Sequence, residues 1–198
     1  MNHPIKTAIL LFNEVEVLDF AGPFEVFSLA EYPTGGGKAF NVYTVAEKPE
    51  PIRARNGLMV LPSHTLNTLP DCDILIIPGG YGAREIEIHN KALIDWIKES
   101  SHKASLVASV CTGAFLLAKA GLLNGHSATT HWMSCDRLER EFPLVTVRRE
   151  VKYVDEGALI TSGGISAGIN MSLYIVSKLI GIEAACATAR RMEYDIEL

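Results

Sequence analysis

The sequence predicts an α/β protein in which a mainly parallel sheet carries helices on both faces. Three observations point there. Short apolar runs such as KTAILLF (6–12), DILIIPGG (73–80) and ASLVASV (104–110) read as buried strands. Segments with helical spacing separate them, the clearest being KALIDWIKESS (91–101). Turn residues punctuate the junctions, among them Asn56-Gly57, Gly79-Gly80, Gly121 and Glu156-Gly157.

In chain order, the run at 6–12 is the first strand. In the NEVEVLDFAGPFEVFSLA that follows, Asp19 stands where a helix N-cap would and Pro23 suits a first turn. Val26, Phe27 and Ala30 then recur at helical spacing. FNVYTVA (40–46) is the next strand, and ARNGLMVLPS carries an Asn-Gly turn before another short one. DILIIPGG runs into a double glycine, and helix 91–101 places Leu93, Ile94 and Ile97 on one face. The strand at 104–110 breaks at Cys111, with Thr112 to Ala120 helical and Gly121 as the stop. SATTH (127–131) is a short β-like piece and 134–141 a helix. VKYVDEGALITSGG reads as a hairpin turning at Glu156-Gly157, and helices over 166–180 and 182–193 complete the chain. With no repeat, low-complexity tract or linker, residues 1–198 are expected to form a single domain.

Composition narrows the function classes. A chain of 198 residues, 48% hydrophobic and 21% charged, is long enough for one good core. The net charge of -5 and the absence of a Lys/Arg stripe argue against a nucleic-acid partner. No apolar stretch approaches the roughly 20 residues that cross a bilayer, so no membrane role is expected. The start, MNHPIKTAILLFN, has too short an apolar run for a signal peptide. A cytoplasmic setting follows, where thiols stay reduced. Cys72, Cys111, Cys135 and Cys186 lie far apart without zinc-like spacing, so neither disulfides nor a metal are expected.

In sheets of this kind, chemistry collects at the carboxyl ends of the strands. Asp19, Gly79-Gly80, Cys111 and His131 all leave strand ends or lie just past them. Most free cysteines are small buried hydrophobes. Cys111, however, has Ser109 and Gly113 as small flanks, which a strained nucleophile elbow requires. The helix opening at Thr112 would also aim its N-terminus at the sulfur and favour a thiolate. Asp19 is either a helix cap or a carboxyl aimed at Cys111, whose proton affinity should then rise. Glu14, Glu16 and Glu25 are rivals for that role. Gly79 and Gly80 are turn glycines or ligand-approaching ones, and the amides of Gly80 and Thr112 would make an oxyanion-hole-like pair. His131 is either a base for Cys111 or a supporting residue beside Trp132.

Taken together, LDFAGPFEVF, ILIIPGGYG, SVCTGAFLLAKAGLLNG, SATTHW and LITSGGISAGINMSLYIV resemble the ThiJ/PfpI superfamily, from about Ile5 to Tyr194. The resemblance implies a flavodoxin-like three-layer sandwich with a small hairpin, related to class I glutamine amidotransferases. It runs closest to the isonitrile hydratases and to the sensor domains of AraC-type regulators. It implies Cys111 as nucleophile, Asp19 as its carboxylate partner and Thr112 as their neighbour. It further implies a small-molecule substrate, no cofactor, and a homodimer with the helix after Asp19 near the interface. The expected activity is hydration of an isonitrile to an N-substituted formamide. Alternatives are glyoxalase or deglycase chemistry on reactive carbonyls, and a non-catalytic small-molecule or redox sensor. A regulator would carry a helix-turn-helix domain after this one, and none is expected here. Asn170 departs from the Asp usual in AGID, and the late His-x-Glu of amidotransferases is missing, which argues against glutamine hydrolysis.

Overall fold

The computed structural model describes residues 3–195. In chain order the elements are β1 (Ile5–Leu10), α1 (Val17–Leu29), β2 (Phe40–Ala46), β3 (Ile52–Arg53), β4 (Met59–Val60), β5 (His64–Thr65) and β6 (Ile74–Ile77). There follow α2 (Lys91–Ser101), β7 (Leu106–Val110), α3 (Ala114–Lys119), β8 (Ser127–Ala128), α4 (Cys135–Glu141) and β9 (Thr146–Val147). The last are β10 (Tyr153–Asp155), β11 (Leu159–Ser162), α5 (Ala167–Ile180) and α6 (Ile182–Arg191).

Seven strands form the main sheet in the order β10-β11-β7-β6-β1-β2-β5. All neighbours pair in parallel except β10 with β11, the hairpin that turns through Gly157. The fold is the expected α/β sheet with helices on both faces. Crossover β1-α1-β2 moves one way along the sheet and β6-α2-β7 the other, so right-handed connections put α1 and α2 on opposite faces. Helices α5 and α6 pack with α1, and α3 packs with α2. The central strands β6 and β7 are buried along their whole length, as a doubly covered parallel sheet demands. Phe27, Phe40 and Phe115 are among the largest side chains sealed in this core.

The strand order reverses between β1 and β6, and this switch point positions the site. Ile77 lies opposite Ser109, so β6 and β7 release Gly79-Gly80 and Cys111 side by side. Ser162 lies opposite Val110, so the loop through Ile165 emerges on the other flank of Cys111. The loop after β1 is docked onto the same end, with the Glu16 amide donating to the Gly79 carbonyl at 2.9 Å.

That docking changes two readings of α1. The helix starts at Val17, so Glu16, not Asp19, occupies the cap position, and its side chain makes no capping bond. Asp19 sits in the first turn and points inward. Pro23 lies inside the helix, not in its first turn, and leaves the Asp19 carbonyl without the amide four residues on. Among the described residues no helix is long and apolar enough to cross a membrane.

Candidate active site

Cys111 follows β7 and opens a tight three-residue helical turn, Cys111–Gly113. Its φ of 56° lies in the left-handed region that side chains rarely adopt. The backbone around it is tied down: its amide donates to the Gly163 carbonyl at 3.1 Å, and its carbonyl accepts from Thr130 Oγ1 at 2.8 Å. The helical turn that follows must pass close under β6. A Cβ on Gly113 would lie 2.1 Å from the Ile77 carbonyl oxygen, so only glycine fits there.

Asp19 and Cys111 meet at the base of this arrangement. Asp19 is completely buried and Cys111 is 5% exposed. Asp19 Oδ2 accepts the Gly79 amide at 3.1 Å. Among the described residues Oδ1 has no formed hydrogen bond. The Cys111 thiol and the Ile165 amide are nevertheless near enough to act on its titration. Burial raises the Asp19 carboxyl to about 7, against the opposing pull of the Gly79 amide. Burial, and then the Asp19 charge, push the Cys111 thiol up, with the Thr112 and Ile165 amides pulling the other way. The rise at Asp19 is the direction read from sequence. The thiol moves against the expected helix-terminus effect, because three residues of tight turn cannot outweigh desolvation beside a carboxylate.

Thr112 is buried and serves the loop opposite. Its hydroxyl accepts the Gly80 amide at 2.9 Å and faces the Gly80 carbonyl at 3.2 Å. The expected oxyanion pair is therefore not formed, because the Gly80 amide is already engaged. The Thr112 amide, turned toward the sulfur, remains.

His131 opens the segment before α4. Its Nδ1 accepts the Met133 amide at 3.3 Å, and its ring stacks with Trp132 at 5.9 Å. The Cδ2 edge of the ring abuts Gly164, where a Cβ would meet His131 Cδ2 at 2.1 Å. Among the described residues no hydrogen bond joins His131 to Cys111. Burial, then the charge of Arg84, hold the imidazole below its usual value.

A cavity of about 320 Å³ opens over the sulfur. Cys111, Thr112, Gly80 and His131 line it, as do Glu16, Arg84, Met133, Arg137 and Ile165. Of the rival carboxylates, Glu14 is paired with Arg55 at 3.1 Å and Glu25 is exposed, while Glu16 faces the cavity. Ile165 escaped the sequence reading. Its φ of 55° is strained for a β-branched residue, and only its place after Gly163-Gly164 hinted at it. Asn170 is spent on Tyr194, accepting its hydroxyl at 3.2 Å. Among the described residues, no group of three or more His, Cys, Asp or Glu side chains is placed to hold a metal.

The arrangement offers a thiol, a carboxyl that holds a proton near neutrality, and two inward amides, with the thiol and carboxyl themselves buried at the floor of the cavity. That set suits nucleophilic attack with local proton return. The sequence profile of the DJ-1/PfpI family matches residues 5–178. The chain is 34% identical over 190 residues to isonitrile hydratase of Pseudomonas putida, covering 96% of this chain and 78% of that one. It is 23% identical to an HTH-type transcriptional regulator of Pseudomonas aeruginosa, covering 98% of this chain but only 52% of the regulator. A THiJ/PfpI family protein from Pseudomonas syringae superposes with a TM-score of 0.87 at 28% identity, covering 99% of this chain and 77% of that one. Drosophila melanogaster DJ-1beta shares the fold, with a TM-score of 0.84 at 20% identity over 98% of this chain and all of the other.

Proposed function

The chain belongs to the DJ-1/PfpI family, and from that premise we propose that it hydrates an isonitrile to an N-substituted formamide through Cys111 and Asp19. The observation that carries this reading is the buried pair itself: a thiol beside a carboxyl whose proton affinity is raised to about 7. Two acids this close titrate as a unit and hold one proton between them over a wide pH range. At rest that proton lies mainly on the sulfur; its transfer to Asp19 gives the reactive form, a thiolate facing the Thr112 amide.

The thiolate adds to the isonitrile carbon, forming an S–C bond, while Asp19 delivers its proton to that carbon. The product is a thioimidate on Cys111, and Asp19 is now a carboxylate. Asp19 then takes a proton from water as the hydroxyl adds to the same carbon, and passes it to nitrogen. Collapse of the adduct breaks the S–C bond, releases the formamide and returns the hydroxyl proton to Asp19. Water and isonitrile are the sole reactants consumed. In this scheme His131 shapes the pocket wall, while Thr112 and Gly80 hold the loop.

A screen of alkyl isonitriles and dicarbonyls against wild type, Cys111→Ala and Asp19→Asn tests the proposal. Formamide from wild type alone supports it. Robust lactate from methylglyoxal without isonitrile turnover would move the same pair to carbonyl chemistry. A sensor reading draws on the match to about half of an HTH-type regulator; saturable ligand binding with no turnover would favour it. The exposed Leu18 and Phe24 on α1 support a homodimer through that helix. Light scattering on Phe24→Asp checks this.

A further inference from the structure

Two guanidinium groups reach the Cys111 cavity, and they differ in what they have left to give. Arg137 is committed at all three nitrogens: Nε donates to Glu141 at 2.8 Å, Nη1 to Glu85 at 2.5 Å and Nη2 to the Arg84 carbonyl at 3.1 Å, three of its five N–H groups. Arg84 has one distant ion pair, Nε to Glu85 at 3.5 Å, and rests over the Tyr81 ring at 5.8 Å. Its two terminal nitrogens have no partner among the described residues. Arg84 also sits within a π-helical turn, Gly82–Ile86, a distortion that recurs at functional sites. The turn begins two residues past Gly80 and swings Arg84 over the same cavity that exposes the sulfur.

We infer that Arg84 is a specificity residue whose free guanidinium edge binds a carboxylate on the substrate and so selects anionic substrates over neutral ones. This rests on the proposed function for the reactive group but not for the charge. A guanidinium edge presents two parallel N–H groups, which match two carboxylate oxygens. Glu16 also lines the cavity, with no hydrogen bond or ion pair among the described residues, so the pocket carries both signs of charge. That polarity turns the anionic end of a ligand toward Arg84 and disfavours a doubly charged group such as phosphate. Arg84 already makes its charge felt inside the site, where it acts on His131. The substrate class is thus a small molecule with an electrophilic carbon at one end and a carboxylate at the other. Binding of this kind acts on KM more than on kcat, because the carboxylate does not change during the reaction.

Alkylation of Cys111 tests the site without relying on isonitrile turnover. The thiolate displaces iodide from ω-iodo acids of two to four carbons or from the matching amides, and mass spectrometry reads the Cys111 peptide alone. For at least one chain length, the acid-to-amide rate ratio should fall about 10-fold or more in Arg84→Gln, the scale of one lost charge-assisted contact. Arg84→Lys should keep part of the ratio, and Glu16→Gln should raise it. A ratio unchanged by Arg84→Gln at every length would overturn the inference, as would an equal fall in Arg84→Lys and Arg84→Gln. In turnover assays, Arg84→Gln should raise KM for an ω-isocyano carboxylate with kcat largely kept. If wild type hydrates no isonitrile while the alkylation ratio still depends on Arg84, the hydratase reading fails and the carboxylate site stands.

Discussion

The Gly79 amide donates to Asp19 Oδ2 at 3.1 Å, while Oδ1 of the same buried carboxyl has no formed hydrogen bond among the described residues. Half-satisfied burial of this kind penalises the charged form. It keeps a proton on Asp19 up to about pH 7. The loop after β6 and the first turn of α1 thus hold a proton source beside Cys111.

This arrangement has a stability signature. Unfolded, Asp19 releases its proton near pH 3.8; folded, near 7. Between these values the folded state binds more protons, so this contribution is full below pH 3.8. It falls by up to about 4 kcal/mol as pH rises through 7. Asp19→Asn keeps an oxygen for the Gly79 amide and removes this dependence. Urea unfolding should find the variant more stable than wild type at about pH 8, with the gap closing toward pH 4, and inactive throughout.

The same pair sets a pH profile. Below about 7 both groups are protonated and the sulfur is a poor nucleophile; above it, Asp19 is ionised and can take the thiol proton, which makes a thiolate available. The rate of Cys111 alkylation should therefore rise through about pH 7 in wild type. In Asp19→Asn that step should be absent.

Backbone strain at Cys111 predicts an unusual ranking of variants. At φ 56° a side chain costs about 1–2 kcal/mol that glycine does not incur. Cys111→Gly should unfold at higher denaturant than Cys111→Ala by about 1 kcal/mol, although glycine is normally the less stable choice. Equal midpoints would argue that the turn relaxes.

Most of the fold was readable because its signals are local. The span of α2 follows from its amphipathic spacing, and the β10–β11 turn from Glu156-Gly157. The start of α1 was not readable, because the Glu16 amide bonds to Gly79, 63 residues on, and so fixes where the helix begins. Strand-end position leaves Asp19 open between a helix cap and a partner for Cys111, and the family resemblance is what implies the pair. The engagement of the Gly80 amide by Thr112, and the strained Ile165, arise from loops that touch only after folding. Arg84 carried no signal at all, since its importance lies in which partners Arg137 takes.

Thr112 should act through the loop. Thr112→Val strands the buried Gly80 amide, which costs about 1–3 kcal/mol. Thr112→Ser retains the hydroxyl and should restore both stability and turnover. Thermal unfolding with a parallel rate measurement separates the two variants.

The most direct test follows formamide formation by NMR from an alkyl isonitrile, with wild type and Cys111→Ala compared at equal concentration. The account predicts turnover by wild type and a loss of at least about 1,000-fold in Cys111→Ala, as when an activated nucleophile is removed. Turnover by Cys111→Ala at the wild-type rate would contradict it.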